Sequence, residues 1–269
     1  MYFAGRDEQQ FGRVGYVDLD AGDPTRTLAL GESPILELGE PGTFDDSGVN
    51  PSCALERDGR VDLYYIGWQR AERVPYMIFS GLATECGDGA NLEKRRRTPL
   101  LDRTPAEPFS RSVPFVLREA DGFRAWYVCF EGWAPAAEGR MRYTAVIKHL
   151  HSRDGIVWGD EGSLCLSPHG PDEFAVGRPW VLRDESLYRM WYGIRSASRG
   201  YRLGYAESRD GLAWERKDAT VGIDVSESGW DSDMLCCACV VDVDGRRLML
   251  YNGNGFGEEG FGLAELLED

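Results

Sequence analysis

Three short stretches of this 269-residue chain carry paired acids. Asp45 and Asp46 fall within residues 43–50, Asp172 and Glu173 within 171–175, and Asp231 and Asp233 within 228–234. Two carboxylates held together push one pKa upward, so one can give a proton while the other takes one. The same side chains also cap turns, because Asp and Ser bond to nearby backbone amides. Arginines form a second set. Arg6 and Asp7 follow the first strand core, in the loop position that Arg195 occupies in the fourth, and Arg178 stands where a strand begins. A guanidinium in a cleft forks onto vicinal hydroxyls, a carboxylate or a phosphate, and one between sheets pairs with an Asp. Trp68, Trp133 and Trp230 are expected in loops, where a ring serves as a stacking platform or packs into the core.

Other chemistry-bearing residues are less organised. Cys236, Cys237 and Cys239 have no second pair at zinc-ligand spacing, and strand alternation would set Cys237 and Cys239 on one face and Cys236 on the other. Buried, inert thiols are expected. His149, His151 and His169 lack ligand or triad spacing, and His149 and His151 would share one strand face. There is no Gly-rich phosphate loop and no nucleophile elbow, so neither a cofactor nor a metal is expected.

Composition narrows the partners. Net charge is -15, from 45 acidic and 30 basic residues. That surface repels nucleic-acid phosphates and anionic membranes, so no nucleic-acid partner is expected. The basic run Lys94–Arg95–Arg96–Arg97 reads as a solvated edge strand. No run reaches the ~18 apolar residues that cross a bilayer, so no membrane insertion is expected. The first ten residues lack the basic-then-apolar order of a secretory signal. Seven cysteines without framework spacing suit a reducing compartment, and a cytoplasmic location is expected.

What must position these residues is a repeat. Phe3, Tyr65, Tyr127, Tyr192 and Tyr251 occupy equivalent places in five strand cores, at steps of 62, 62, 65 and 59 residues. A second strand follows each core. Two of the subsequent turns nearly match: Ser152–Arg153–Asp154–Gly155 and Ser208–Arg209–Asp210–Gly211, each with a Trp three residues beyond the glycine. Asp-Gly supplies the positive φ angles of a tight turn. Strands opening at Pro51, Pro114, Pro179 and Cys237 precede the last four cores by 14, 13, 13 and 14 residues. A fourth strand is expected at residues 33–37 and again at 98–101. About four antiparallel strands repeated five times predict an all-β, five-bladed β-propeller, one domain over residues 1–269.

The phrases Tyr188–Arg189–Met190–Trp191–Tyr192 and Gly204–Tyr205–Ala206–Glu207–Ser208–Arg209–Asp210–Gly211 resemble blade strands of the five-bladed propeller superfamily of glycoside hydrolases. That superfamily includes arabinanases, β-xylosidases, invertases, levansucrases and mannoside phosphorylases. The likeness is closer still to uncharacterised glycosyl hydrolase-like proteins encoded among surface-polysaccharide genes. The resemblance implies a substrate at one end of the central channel, facing three carboxylates where the innermost strands begin. Glycosidic cleavage needs a protonated acid and a base or nucleophile, and a third acid steadies the oxocarbenium-like transition state. Here the positions before the inner-strand prolines hold Asn50, Val113 and Arg178, none of them an acid. The nearest substitutes are Glu173 as acid and Asp46 or Asp233 as base or stabiliser. Arg6, Asp7, Asn50, Trp68, Arg178, Arg195 and Asp231 are the expected substrate-binding residues. The expected function is a glycoside hydrolase or transglycosylase acting on a furanoside or polysaccharide building block. The alternatives are a catalytically silent sugar-binding propeller and a glycan-assembly enzyme using a phosphorylated donor. The expected partner is therefore a carbohydrate or a sugar nucleotide.

Overall fold

The computed structural model describes residues 1–87, 91–136 and 139–267. Among the described residues the regular elements are almost all strands, in five successive antiparallel groups. The first holds β1 (Tyr2–Arg6), β2 (Gly12–Leu19) and β3 (Thr27–Leu30). The second holds β4 (Gly48–Arg57), β5 (Arg60–Arg70), β6 (Tyr76–Cys86) and β7 (Asn91–Lys94). The third holds β8 (Arg111–Glu119), β9 (Gly122–Pro135), β10 (Met141–Ser152) and β11 (Ser163–Leu166). The fourth holds β12 (Glu173–Asp184), β13 (Leu187–Ser196), β14 (Gly200–Ser208) and β15 (Glu215–Arg216), and the fifth β16 (Cys236–Val243), β17 (Arg246–Asn252) and β18 (Phe261–Glu265).

The leading strands succeed one another around a common axis, with β4 against β8, β8 against β12 and β12 against β16. The fold is a β-propeller. Single parallel bridges, Gly12 to Gly48 and Ala145 to Ala175, stitch neighbouring groups together. The first and last groups also meet: the Arg246 guanidinium donates to the carbonyls of Ala21 and Gly22 at 3.1 Å. Two expectations about edges need correction. The outer strands of the first two groups are β3 and β7, whereas residues 33–37 and 98–101 make only single bridges, Val14 to Leu36 and Ser80 to Leu101. Pro34 and Pro99 have no N–H to extend a ladder. In the basic run, Lys94 ends edge strand β7 but is not solvated, because it pairs with the buried Asp45 at 2.7 Å.

The aromatic cores sit at the centre of each group. Adjacent residues of a strand point to opposite faces. Tyr64 and Trp126 therefore fill the large core between the second, third and fourth groups, while Tyr65 packs with Val14 and Leu36 and Tyr127 with Leu101 and Val146. Four of these second aromatics carry a hydroxyl, and each donates it to an acid. Tyr65 bonds Asp45 at 2.9 Å, Tyr127 bonds Glu107 at 2.7 and 2.8 Å, and Tyr251 bonds Asp231 at 3.1 Å, the acid lying 20 residues earlier each time. Tyr192 bonds Asp218 at 2.6 Å, which arrives from 26 residues later. Burial, and then the acid itself, pushes all four phenols up, so they act as neutral donors. Glu107 is the most enclosed of the acids, with Arg111 at 2.6 Å and Lys148 at 2.9 Å as counter-charges. Burial raises its carboxyl, but Tyr127, Lys148, the Gly162 amide and Arg111 outweigh that and hold it below the usual range.

The two matching turns lock neighbouring groups at the opposite end. Ser152 Oγ accepts the Gly155 amide, and Asp154 Oδ1 accepts those of Ile156 and Val157. Ser208 and Asp210 repeat this with Gly211, Leu212 and Ala213. The carbonyl each turn frees then receives an aromatic from the preceding group. Tyr64 Oη donates to Gly155, and Trp126 Nε1 to Gly211.

Two outcomes follow. Glu107→Gln strips Arg111 and Lys148 of their counter-charge and should cost about 3–5 kcal/mol in chemical denaturation, whereas Tyr127→Phe, which removes one donor, should cost about 1–3 kcal/mol. His149, beside Trp126, has its pKa pushed down by burial to about 4. The unfolded chain protonates it near pH 6.5 and the folded chain does not. Stability should therefore decline as pH falls from about 6.5 towards 4, by about 3 kcal/mol at most. Urea titrations of His149→Gln should show a flatter profile across that window, and an unchanged slope would refute the assignment.

Candidate functional site

Where β4, β8, β12 and β16 begin, the second strands end and the third strands start. Aromatic and arginine side chains from all five groups gather there. Arg6, at the end of β1, lies over the Trp68 ring at 5.2 Å. Trp68 meets Tyr76 edge-on at 6.4 Å, and Tyr76 meets Trp133 at 5.7 Å and Tyr143 at 6.5 Å. Tyr143 stacks on Phe130 at 4.1 Å. Arg195 then sits among three rings, 4.8 Å from Tyr143, 5.1 Å from Phe174 and 4.4 Å from Tyr201. Tyr201 continues the belt to Phe256 at 5.1 Å.

Burial opposes the charge of Arg195, but Tyr143 and Tyr201 outweigh it and keep the guanidinium firmly protonated. Burial raises the phenols of Tyr76 and Tyr201, which are therefore hydrogen-bond donors at neutral pH. The Arg195 Nε, Trp68 Nε1 and Asn50 Oδ1 atoms are buried with no hydrogen-bond partner. Gly48 makes room for the Trp68 indole, because a Cβ there would overlap the ring.

Below the belt the inner strands share a distortion. Each of β8, β12 and β16 bulges at the same step, with Val113, Arg178 and Cys237 in left-handed backbone at φ 55°, 52° and 60°. A β-branched valine in that region is strained, and such strain gathers at ligand clamps and switch regions. With Ser52, these residues line a channel cavity of about 60 Å³. Two waters occupy roughly that volume in the liquid. The belt lies above this cavity, the waist of the channel, at the end where the inner strands begin. A wider groove of about 260 Å³, lined by His169, Trp214 and Arg216, lies along the outer strands β11 and β15, away from the channel.

The expected site residues divide accordingly. Arg6, Trp68, Asn50 and Arg195 come together at the belt end, and Arg178 lines the waist with its Nη1 3.5 Å from the Pro51 carbonyl. Asp7 is turned to Arg13 at 2.7 Å and accepts the Phe11 amide; Arg13 first, then that amide, holds its carboxyl below the usual range. The three acids picked for catalysis have different surroundings. Asp46 caps its own turn, accepting from Gly42 N at 2.8 Å and Ser47 Oγ at 2.7 Å. Glu173 gives both oxygens to Arg216 at 2.9 and 3.0 Å and also accepts the His169 amide. Both oxygens are thus committed to donors of the protein itself. Asp231 is buried under Tyr251. Asp233 alone is exposed at the rim, its carboxylate without a partner among the described residues while its amide and carbonyl bond Asn254 and Arg202.

Trp68, Trp133 and Arg195 are not loop residues, because β5, β9 and β13 run on to include them. Trp230 is in a loop but stacks on Tyr251 at 5.5 Å. The bulge also breaks the expected alternation of thiols, bringing Cys236 and Cys237 Sγ to 3.5 Å. Sequence reasoning missed Tyr76, Tyr143, Phe174, Tyr201 and Arg142. Their signal is an aromatic or arginine a few residues outside the repeating core, at strand ends that share no register.

No protein-family model matches the chain. The chain is 39% identical over 266 residues to the uncharacterised Mycobacterium tuberculosis protein Rv1502, covering 99% of this chain and 87% of that one. It belongs to that protein's family. Among solved structures, a glycoside hydrolase superposes with a TM-score of 0.74 at 19% identity, over 98% of this chain and 81% of its own. An exo-1,5-α-L-arabinanase from a bovine ruminal metagenomic library gives 0.61 at 12%, over 100% and 93%. A Bombyx mori GH32 β-fructofuranosidase gives 0.63 at 14%, over 99% and 56%. These neighbours share the propeller fold of this chain.

Glu173→Gln should lower stability by about 1–3 kcal/mol, the size expected when a charge-assisted, doubly bonded pair loses its charge. Thermal and urea unfolding check this, and a variant as stable as the parent would free Glu173 for another role.

Proposed function

We propose that this chain is a carbohydrate-active propeller of the glycoside hydrolase type, which takes a saccharide at the aromatic belt. On this reading the five antiparallel groups are five blades of one domain over residues 1–269. The observation that carries it is the position of the belt. Tyr143, Phe174 and Tyr201 surround Arg195, and Tyr76 and Trp133 extend the cluster, at the end of the channel where the inner strands begin. Ligand sites are mostly aromatic and apolar, with a few convergent polar groups to fix orientation, and this end has both. Pyranose and furanose rings stack their C–H faces on aromatic rings, while their hydroxyls accept from Arg195 and the phenols.

Cleavage is the second reading, favoured by the fold shared with glycoside hydrolases. It needs two facing carboxyls, ~5–9.5 Å apart depending on stereochemical course. Asp233 would serve as base or stabiliser, with Asp46 as its counterpart. The occupied state of Glu173 and Asp46 weighs towards recognition without turnover. A cytoplasmic location belongs to the same proposal, supported by seven cysteines that form no disulfide. No described helix is long and apolar enough to cross a membrane.

Calorimetry against a panel of mono- and oligosaccharides should find a ligand whose affinity falls at least tenfold in Tyr143→Ala or Trp133→Ala. Binding that ignores both substitutions would place the site elsewhere. The same panel as aryl glycosides tests turnover. Release abolished in Asp233→Asn would establish hydrolysis, and no release from any glycoside would leave binding alone.

A further inference from the structure

Outside the channel, the arginines that the fold encloses are each answered by a carboxylate, whereas Arg178 at the waist meets only the Pro51 carbonyl among the described residues. Arg111 meets Glu107 at 2.6 Å, Arg57 meets Asp62 at 2.8 Å and Arg124 meets Glu119 at 2.9 Å. Arg216 pairs with Glu173 and Asp218, and Arg247 with Asp184. At the belt this rule fails. Arg195 has no ion pair among the described residues, although its Nε is buried and three aromatic rings surround it. Arg142 is likewise without an acid, and its guanidinium lies 4.2 Å from the same Phe174 ring that Arg195 approaches at 5.1 Å.

Two guanidinium groups on one ring repel each other. Removing a cation from water without a counter-charge is also unfavourable by several kcal/mol. Cation–π contacts recover only about 0.5–2 kcal/mol each. The imbalance is resolved when an anion enters. Around it the structure supplies two planar forks, which match carboxylate and phosphate oxygens two at a time, and the phenol hydroxyls of Tyr76 and Tyr143 that face Arg195.

We propose that the ligand of the belt is an anionic saccharide, whose carboxylate or phosphate oxygens are held by Arg195 and Arg142 beside the hydroxyls of Tyr76 and Tyr143. The proposal rests on the saccharide reading above and names the class of sugar. Uronic acids and sugar phosphates share the required oxyanion.

The test is calorimetry at low salt with D-glucose, D-galactose, their uronates, their 1-phosphates, and inorganic phosphate alone. At least one charged sugar should bind tenfold or more tightly than its neutral parent. That preference should vanish in Arg195→Gln and fall severalfold in Arg142→Gln, with Arg195→Lys between them because it keeps the charge and loses the fork. Preference for the uronates would assign a carboxylate, and preference for the 1-phosphates a phosphate. Inorganic phosphate should raise the melting temperature of the parent and not of Arg195→Gln. If Arg195→Gln does not fold, Arg142→Gln and Arg195→Lys carry the comparison. Neutral sugars that bind as tightly as charged ones would overturn this inference and leave the saccharide reading intact. A preference that survives both arginine substitutions would overturn it too. No binding of any sugar or of phosphate would overturn both.

Discussion

The bond from a second-strand tyrosine to a buried acid organises everything else in this propeller. Tyr65 and Asp45, Tyr127 and Glu107, and Tyr251 and Asp231 repeat one spacing, and each pair ties the segment entering an inner strand to the strand behind it. A carboxylate taken out of water must be met by donors; the tyrosine hydroxyl supplies one in each pair, and Lys94 adds a counter-charge for Asp45 as Arg111 and Lys148 do for Glu107. The entry segments are thereby fixed, and with them the start of each inner strand and the channel mouth. The fourth group departs from the spacing. The acid 20 residues before Tyr192 is Asp172, which instead holds the Ser198 amide and hydroxyl, and Asp218 enters from behind to take its place. That exchange brings Arg216 against Glu173 and occupies it as well.

The same constraint accounts for the poverty of acids in the cleft. An acid that pins a loop is spoken for by its donors, and Asp45, Glu107 and Asp231 in the entry segments are all held in this way. Just inside, the bulges at Val113, Arg178 and Cys237 turn three chemically unrelated side chains into the lining of the waist. Above it the rim gathers aromatic rings around Arg195 and Arg142, with Arg6 over Trp68.

The architecture was legible because it repeats. Phe3, Tyr65, Tyr127, Tyr192 and Tyr251 mark one register, and the Asp-Gly turns at Asp154 and Asp210 mark another that the structure reproduces bond for bond. The outer strands were harder, since β3 and β7 are short and bear no shared sequence, and the nearby proline segments mimicked them. The acids were harder to read, because one residue type serves two ends. Asp45, Asp172 and Asp231 recur in register because the fold needs them there, and a recurring acid looks the same whether it pins a tyrosine or protonates a substrate. Conversely, Tyr143, Phe174 and Arg142 reach the belt from strand ends of different groups. Nothing in one chain's spacing reports a meeting that only the circular arrangement of groups creates.

A chain with a net charge of -15 is an unexpected host for an anion, and distance resolves the conflict. Exposed surface charges are screened beyond about 8 Å at physiological ionic strength. The belt arginines act at contact, beside rings that exclude water, where the same charge counts for more. The acidic surface therefore slows the approach of an anion more than it weakens the bound state. Selectivity on the proposed reading comes from mismatch as much as from attraction. A neutral sugar stacked on the belt leaves Arg195 desolvated and unanswered, and that penalty separates it from a charged one even when the ring contacts are identical.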